Sequence, residues 1–135
     1  MCIGSGDAHL YALDVRSGKE MWRFETRAVV FSSPAIADGA VYVGSLDSTV
    51  YAIDVGEGSQ KWKFRTLDWG VNSSPAIVGN TVCVGSKDSF LYALDNRTGI
   101  VIWKFKTGGW VFSSPSVVEG MLFFGSADGG VYALR

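Results

Sequence analysis

The sequence holds one histidine and two cysteines in 135 residues, too few to build a structural zinc site. Cys2 and Cys83 occupy the same position of an internal repeat, two units apart. That separation is beyond the ~7 Å Cα limit for a disulfide. They read as two thiols buried as small hydrophobes, with an intermolecular bridge through Cys2 as the alternative. Neither sign of charge is in excess: 12 basic and 13 acidic residues mix along the chain, for a formal net charge of −1. Without a basic stripe to neutralise phosphates, nucleic-acid binding is disfavoured. No apolar run approaches the roughly 18 residues of a membrane-spanning helix. Met1-Cys2 leads straight into repeat sequence, with neither a charged nor an apolar leader segment, so no signal peptide is expected. Amphipathic helical periodicity never extends beyond two turns, which leaves an all-β reading. Ser-His-Asp arrangements, phosphate-cradling glycine loops and paired glycosidase-type carboxylates are absent above chance. The lone His9 reads as exposed and solvated.

What the chain does have is a large apolar fraction and a beat. Hydrophobic residues make up 47%, including five Trp, five Tyr and eight Phe, enough for a sizeable core. The phrase Gly-Ser-x-Asp begins at Gly4, Gly44, Gly85 and Gly125, at offsets of 40, 41 and 40 residues. Trp22, Trp62 and Trp103 keep the same period, as do the Ser-Ser-Pro triplets ending at Pro34, Pro75 and Pro115. A period of this size marks units that bury their apolar faces only against neighbouring copies.

Residues 32–66 show one unit most clearly. Ser32 to Ala37 leads to Asp38-Gly39, a hairpin signal. Ala40 to Ser45 is rich in β-branched and aromatic residues, and a turn at Leu46-Asp47-Ser48 leads to Thr49 to Asp54. After Gly56-Glu57-Gly58, the run Gln60 to Arg65 alternates polar and aromatic, as a half-exposed strand does. Each unit is thus four short antiparallel strands, A to D, which points to the blade of a β-propeller. Strands A to C are expected to be apolar on both faces, and strand D polar on one. Counting strands gives a partial blade at 1–27, full blades at 28–68 and 69–109, and a partial blade at 110–135. The expected fold is therefore an all-β propeller of four-stranded antiparallel blades, incomplete in one chain at about three and a half repeats.

The segment Ala12-Leu13-Asp14-Val15-Arg16-Ser17-Gly18-Lys19-Glu20-Met21-Trp22 resembles the tryptophan-docking motif of pyrroloquinoline-quinone-type propellers: Ala, x, Asp, two x, Thr or Ser, Gly, three x, Trp. The copy from Ala93 to Trp103 matches fully, and that from Ala52 to Trp62 departs only at Glu57. The resemblance covers essentially the whole chain. That quinoprotein-like family includes quinone-dependent alcohol dehydrogenases and non-catalytic, BamB-like relatives. The resemblance implies that Trp22, Trp62 and Trp103 each pack against the motif of an adjacent blade, with Gly18, Gly58 and Gly99 allowing the approach. Asp14, Asp54 and Asp95 read as turn-capping carboxylates. Family analogy also suggests a periplasmic or extracytoplasmic location.

In an up-down blade the B–C turns and the D–A loops share one face. That face carries Asp7, Asp47, Asp88 and Asp128, together with the non-repeating Trp69, Asn72 and Trp110. The resemblance implies a cofactor face there, with aromatic stacking on the quinone and a calcium ion on carboxylate and amide oxygens. Trp69, Asn72 and Trp110 are the candidate cofactor-binding residues. Turn capping is the competing reading of the four Asp, because Gly-Ser-x-Asp is turn chemistry in every copy, and ordinary packing is that of the two Trp. No adjacent Cys-Cys pair and no unique general base stand out, so no catalytic residue, no metal ligand and no cofactor are expected, with pyrroloquinoline quinone plus calcium as the alternative.

The function expected is a non-catalytic binding or scaffolding propeller module with a protein partner. The alternatives are a fragment of a quinone-dependent dehydrogenase and a sensor ectodomain segment of a larger protein. An open arc of blades exposes apolar faces, so the remainder of a longer chain or self-association is expected to complete the ring.

Overall fold

The computed structural model describes residues 1–67 and 69–135, and the blade boundary expected at 68 falls outside them. Strands β1 (Cys2–Gly4), β2 (His9–Leu13) and β3 (Glu20–Glu25) form the first sheet, in that order. The second sheet is β4 (Ala35–Ala37), β5 (Ala40–Ser45), β6 (Thr49–Asp54) and β7 (Gln60–Arg65). The third repeats it with β8 (Ala76–Val78), β9 (Thr81–Gly85), β10 (Phe90–Asp95) and β11 (Val101–Lys106). The fourth contains β12 (Ser116–Val118), β13 (Met121–Gly125) and β14 (Val131–Leu134). All neighbours pair antiparallel, and the described residues contain no helix. This is an incomplete β-propeller, two four-stranded blades between two three-stranded ones, as the strand count predicts.

Local chemistry sets the turns. Asp38 and Gly39 both have positive φ, 49° and 74°, the left-handed pair a tight two-residue hairpin needs. Glu119 and Gly120 repeat that geometry at 49° and 76°. Each C–D pair slips register at the motif itself, between Ala12/Leu13, Ala52/Ile53 and Ala93/Leu94. The extra residue (Met21, Lys61 and Ile102 in turn) directly precedes Trp22, Trp62 and Trp103 and bends the outer strand there.

Blades stack through side chains of opposite parity. The face of the first sheet carrying Leu10, Ala12 and Trp22 packs on Val41, Val43, Tyr51 and Ile53 of the second. The other face of the second sheet, with Ala40, Tyr42, Val50 and Ala52, packs on Val82, Val84, Tyr92 and Leu94 of the third. Cys83, Leu91 and Ala93 of the third then meet Leu122, Phe124, Tyr132 and Leu134 of the fourth. Burying each such Val, Leu or Ile contributes roughly 1.5–3 kcal/mol gross. In every layer a strand-D phenylalanine meets the next blade's tyrosine edge-on: Phe24 with Tyr51, Phe64 with Tyr92 and Phe105 with Tyr132, at 5.3, 5.1 and 5.5 Å. Both cysteines are free thiols, and burial pushes Cys83 up to about 11.

Two expectations are corrected. Strand A is not apolar on both faces: β4, β8 and β12 span three residues each and are half-buried or exposed. They are edge strands that lie side by side across successive sheets, too short to be covered on both faces. The glycine of Gly-Ser-x-Asp lies in the strand run, as the reading of Ala40 to Ser45 predicts, and close packing constrains it. Gly44 is the last residue but one of β5, and a Cβ there would sit 2.9 Å from the Val71 carbonyl oxygen, with Val30 and Val111 crowding Gly4 and Gly85 in the same way. His9 is half-buried rather than solvated, its Nδ1 3.0 Å from the Asp7 carbonyl and its ring 5.7 Å from Tyr11.

Candidate functional site

The lower end of the arc carries the C–D turns. Asp14 Oδ1 accepts the N–H groups of Arg16 and Ser17, Asp54 Oδ1 those of Gly56 and Glu57, and Asp95 Oδ1 those of Arg97 and Thr98. These donors hold all three carboxyls below the ordinary carboxylate range. Trp22 Nε1 donates to the Val55 carbonyl at 3.0 Å, and Trp62 Nε1 to the Asn96 carbonyl at 2.9 Å. Their rings lie on Gly58 and Gly99, where a Cβ would approach Cδ2 within 2.7 Å. Trp103 is 39% exposed, and among the described residues no carbonyl accepts its indole N–H. Gly18 likewise carries no indole, with nothing within 4 Å of its would-be Cβ.

At the opposite end, the four Asp of the B–C turns form one recurring clasp. Asp7, Asp47, Asp88 and Asp128 each accept the hydroxyl of the tyrosine four residues on, at 2.5, 2.7, 2.7 and 2.6 Å. Three of them also accept an N–H from the D–A loop arriving from the preceding blade: Arg27 to Asp47, Leu67 to Asp88 and Gly108 to Asp128. Desolvation and then the Asp47 carboxylate push the Tyr51 phenol up to about 12, and the same causes raise Tyr92 further. Hydrogen bonds from Tyr11 and Tyr132 are the main cause lowering Asp7 and Asp128. Buried Thr26, Thr66 and Thr107 close the loops below, donating to the carbonyls of Ala8, Ser48 and Ser89. Sequence reasoning missed them, although their 40- and 41-residue spacing signals a shared role.

The D–A loops are stitched to both flanking blades by backbone bonds. Val71 N–H reaches the Ser45 carbonyl, and Lys87 and Ala127 reach the carbonyls of Gly70 and Trp110. Loops fixed this way present Trp69 and Trp110 outward, 73% and 50% exposed. Together with Leu67, Lys87, Asp88 and Ser89 the two indoles line one cleft of about 410 Å³. Lys87 Nζ lies 5.7 Å from the Trp110 ring centroid, a cation–π contact at its rim. Trp69 holds φ of 78°, left-handed backbone that the following Gly70 at 90° continues. Asn72 is not part of this cleft. It is half-buried, with an Oδ1 that has no hydrogen-bond partner, whereas Phe31 and Phe112 at its repeat position are exposed. The arrangement offers aromatic stacking and one cation to an extended or planar guest. Among the described residues no three His, Cys, Asp or Glu side chains converge as metal ligands.

A second polar cluster lies at the lower end between the second and third blades, unforeseen in the sequence. Asn96 Nδ2 donates to Asp38 Oδ2 at 3.0 Å, in a recess of about 370 Å³ that also takes in Tyr42, Lys61 and Arg97. Asn96 is the single polar residue at a position filled elsewhere by Val15 and Val55, the signal that singles it out.

A family model described as outer membrane protein assembly factor BamB matches residues 1–87 and 63–135. The crystal structure of BamB from Moraxella catarrhalis is 25% identical and superposes with a TM-score of 0.88, over 98% of this chain and 45% of that one. A europium-containing methanol dehydrogenase is 25% identical, with a TM-score of 0.71, over 81% of this chain and 23% of that one. The beta-alanine-activating enzyme of Danio rerio shares 41% identity over 39 residues, 29% of this chain and 3% of that protein. The chain thus spans less than half the length of each of these relatives. A match that runs from end to end, onto sheets of this order, makes the chain a member of the BamB-type family of pyrroloquinoline-quinone-like repeat propellers.

Proposed function

We propose that the chain is a non-catalytic binding and scaffolding segment of a propeller, and that its loop face takes up a protein segment across the Trp69–Trp110 cleft. The observation that carries this reading is the pair of outward indoles on loops held by backbone bonds to both neighbours. Exposed Trp is costly to leave in water and is the side chain most enriched at binding hot spots. The repeating tryptophans Trp22 and Trp62 are folded into the blades, so the non-repeating pair is free for a partner. A family described by outer-membrane protein assembly fits a guest of unfolded or extended polypeptide. Completion of the ring, by further chain or by self-association, belongs to the same proposal.

The quinone reading fits the residues less well. Calcium beside a quinone needs several oxygen ligands converging on one point. The four upper Asp instead face their own tyrosines and turn N–H groups, one in each blade. Two titrations test the proposal. Fluorescently labelled, urea-unfolded outer-membrane β-barrel polypeptide, diluted into the protein, should bind saturably and blue-shift tryptophan emission. Pyrroloquinoline quinone with calcium should leave the melting temperature unchanged. No polypeptide binding, together with a quinone-dependent thermal shift, would replace this reading with the dehydrogenase one.

A further inference from the structure

The x position of Gly-Ser-x-Asp holds Gly6, Leu46 and Ala127 in three copies, and Lys87 in the remaining one. The one charge at this position lines the cleft between Trp69 and Trp110. Thr66 and Ser73 are seven positions apart, whereas Thr26–Ser32 and Thr107–Ser113 are six, so the loop that carries Trp69 has one extra residue. It takes positive φ at Trp69 and Gly70, and Gly70 closes on Leu46, where a Cβ would lie 2.9 Å from Cδ2. A bulky residue rarely adopts such backbone, and here it leaves the Trp69 indole 73% exposed. On the far side the Ala127 N–H donates to the Trp110 carbonyl at 2.8 Å and fixes the second loop. The walls of the cleft all lie between the second and fourth sheets.

The two charges of the cleft are not equally available. Asp88 Oδ2 already accepts the Tyr92 hydroxyl and the Leu67 N–H, and its Oδ1 accepts the Phe90 N–H at 3.1 Å. Lys87 forms no ion pair among the described residues, and its Nζ sits 5.7 Å from the Trp110 ring centroid. A guest thus meets two apolar rings and one uncommitted ammonium. An acidic side chain gains a charge-assisted contact there that a basic one cannot make. In an extended chain, same-face side chains are two residues and about 6.6 Å apart, close to the separation of ammonium and ring. We infer that the cleft selects extended polypeptide in which an aromatic and an acidic residue stand two positions apart, the ring on the Trp110 indole and the carboxylate on Lys87. Trp69 holds the neighbouring side chain of the same segment. The inference rests on the functional reading above and names the guest chemistry that this site prefers.

Short unlabelled peptides with blocked ends test it, so that only side chains carry charge. In a Ser/Thr background they hold Phe-Thr-Asp, Phe-Thr-Asn or Phe-Thr-Lys, and binding is read from tryptophan emission. The native protein should bind the Asp peptide about fivefold or more tighter than the Lys peptide, with the Asn peptide between them. Lys87→Glu should reverse that order, and Lys87→Met should level it. Gly6, Leu46 and Ala127 serve at the same turn position, so both variants should keep the native urea midpoint. Replacing the Phe of the Asp peptide by Ser should weaken binding by about tenfold or more. Equal affinity of the native protein for all three peptides, an unchanged order in Lys87→Glu, or indifference to the loss of Phe would each overturn the inference. If no peptide binds while unfolded β-barrel polypeptide still does, this inference alone falls. If neither binds, the functional reading falls and takes the inference with it.

Discussion

The Tyr92 hydroxyl donates to Asp88 Oδ2 at 2.7 Å, and the same oxygen accepts the Leu67 N–H at 3.0 Å. One carboxylate therefore joins the turn of the third blade, a core tyrosine and the loop leading into the cleft. Tyr51 and Asp47 repeat the link one blade earlier at 2.7 Å. The folded phenols titrate above their ordinary value of about 10, Tyr51 at about 12 and Tyr92 higher. Folding thus favours the protonated phenol. This contribution is complete below about pH 10 and is lost as pH rises through the folded values. Urea unfolding across pH 8 to 12 should show stability falling only above about pH 10. Tyr51→Phe and Tyr92→Phe should each cost roughly 1.5–3 kcal/mol at pH 7 and flatten that alkaline decline. An alkaline limb unchanged in both variants would dissociate it from these phenols.

Trp62 and Trp103 occupy one motif position in two environments. Trp62 is 7% exposed with its N–H bonded to the Asn96 carbonyl, whereas Trp103 is 39% exposed and unbonded among the described residues. Trp62→Ala should therefore cost about 3–5 kcal/mol, and Trp103→Ala under about 1 kcal/mol. Equilibrium denaturation of monomeric protein measures both. Equal losses would mean that the carbonyl and glycine beneath the ring are not what holds the blades together.

Gly18 and Gly99 have nearly the same backbone, φ of 69° and 72°. Gly18→Ala meets only the left-handed penalty of about 1–2 kcal/mol. Gly99→Ala adds a Cβ 2.7 Å from Cδ2 of the Trp62 ring and should lose about 3 kcal/mol or more. Paired melting curves decide this, and a Gly99 variant no worse than the Gly18 one would contradict the packed indole.

The period of the sequence was enough for the blades. Asp38-Gly39, the alternation from Gln60 to Arg65 and the repeated Ala-x-Asp all act locally, and local chemistry is what a sequence displays directly. Trp103 shares the motif of Trp62 but not its burial, because the carbonyl and glycine that meet such a ring come from the following blade, which its own motif cannot reveal. Gly44 reads as part of a strand, but the reason it must be glycine, the Val71 carbonyl, arrives from a loop 27 positions away and is not visible locally. Trp69 and Trp110 were singled out for lacking repeat partners, and the structure sets both on one cleft. Asn72 had the same credential but turns its Oδ1 into the protein. The Asn96–Asp38 contact spans 58 positions and two blades, so only the stacking of sheets brings it into view.

The functional account turns on a division of labour between repeating and non-repeating tryptophans. The Trp69→Ala/Trp110→Ala double variant tests it, titrated with labelled unfolded outer-membrane β-barrel polypeptide and read by fluorescence anisotropy beside the native protein. Binding should weaken by about tenfold or more, as removal of two exposed hot-spot indoles implies, while the urea midpoint stays unchanged. Undiminished affinity in a variant of native stability would contradict the account.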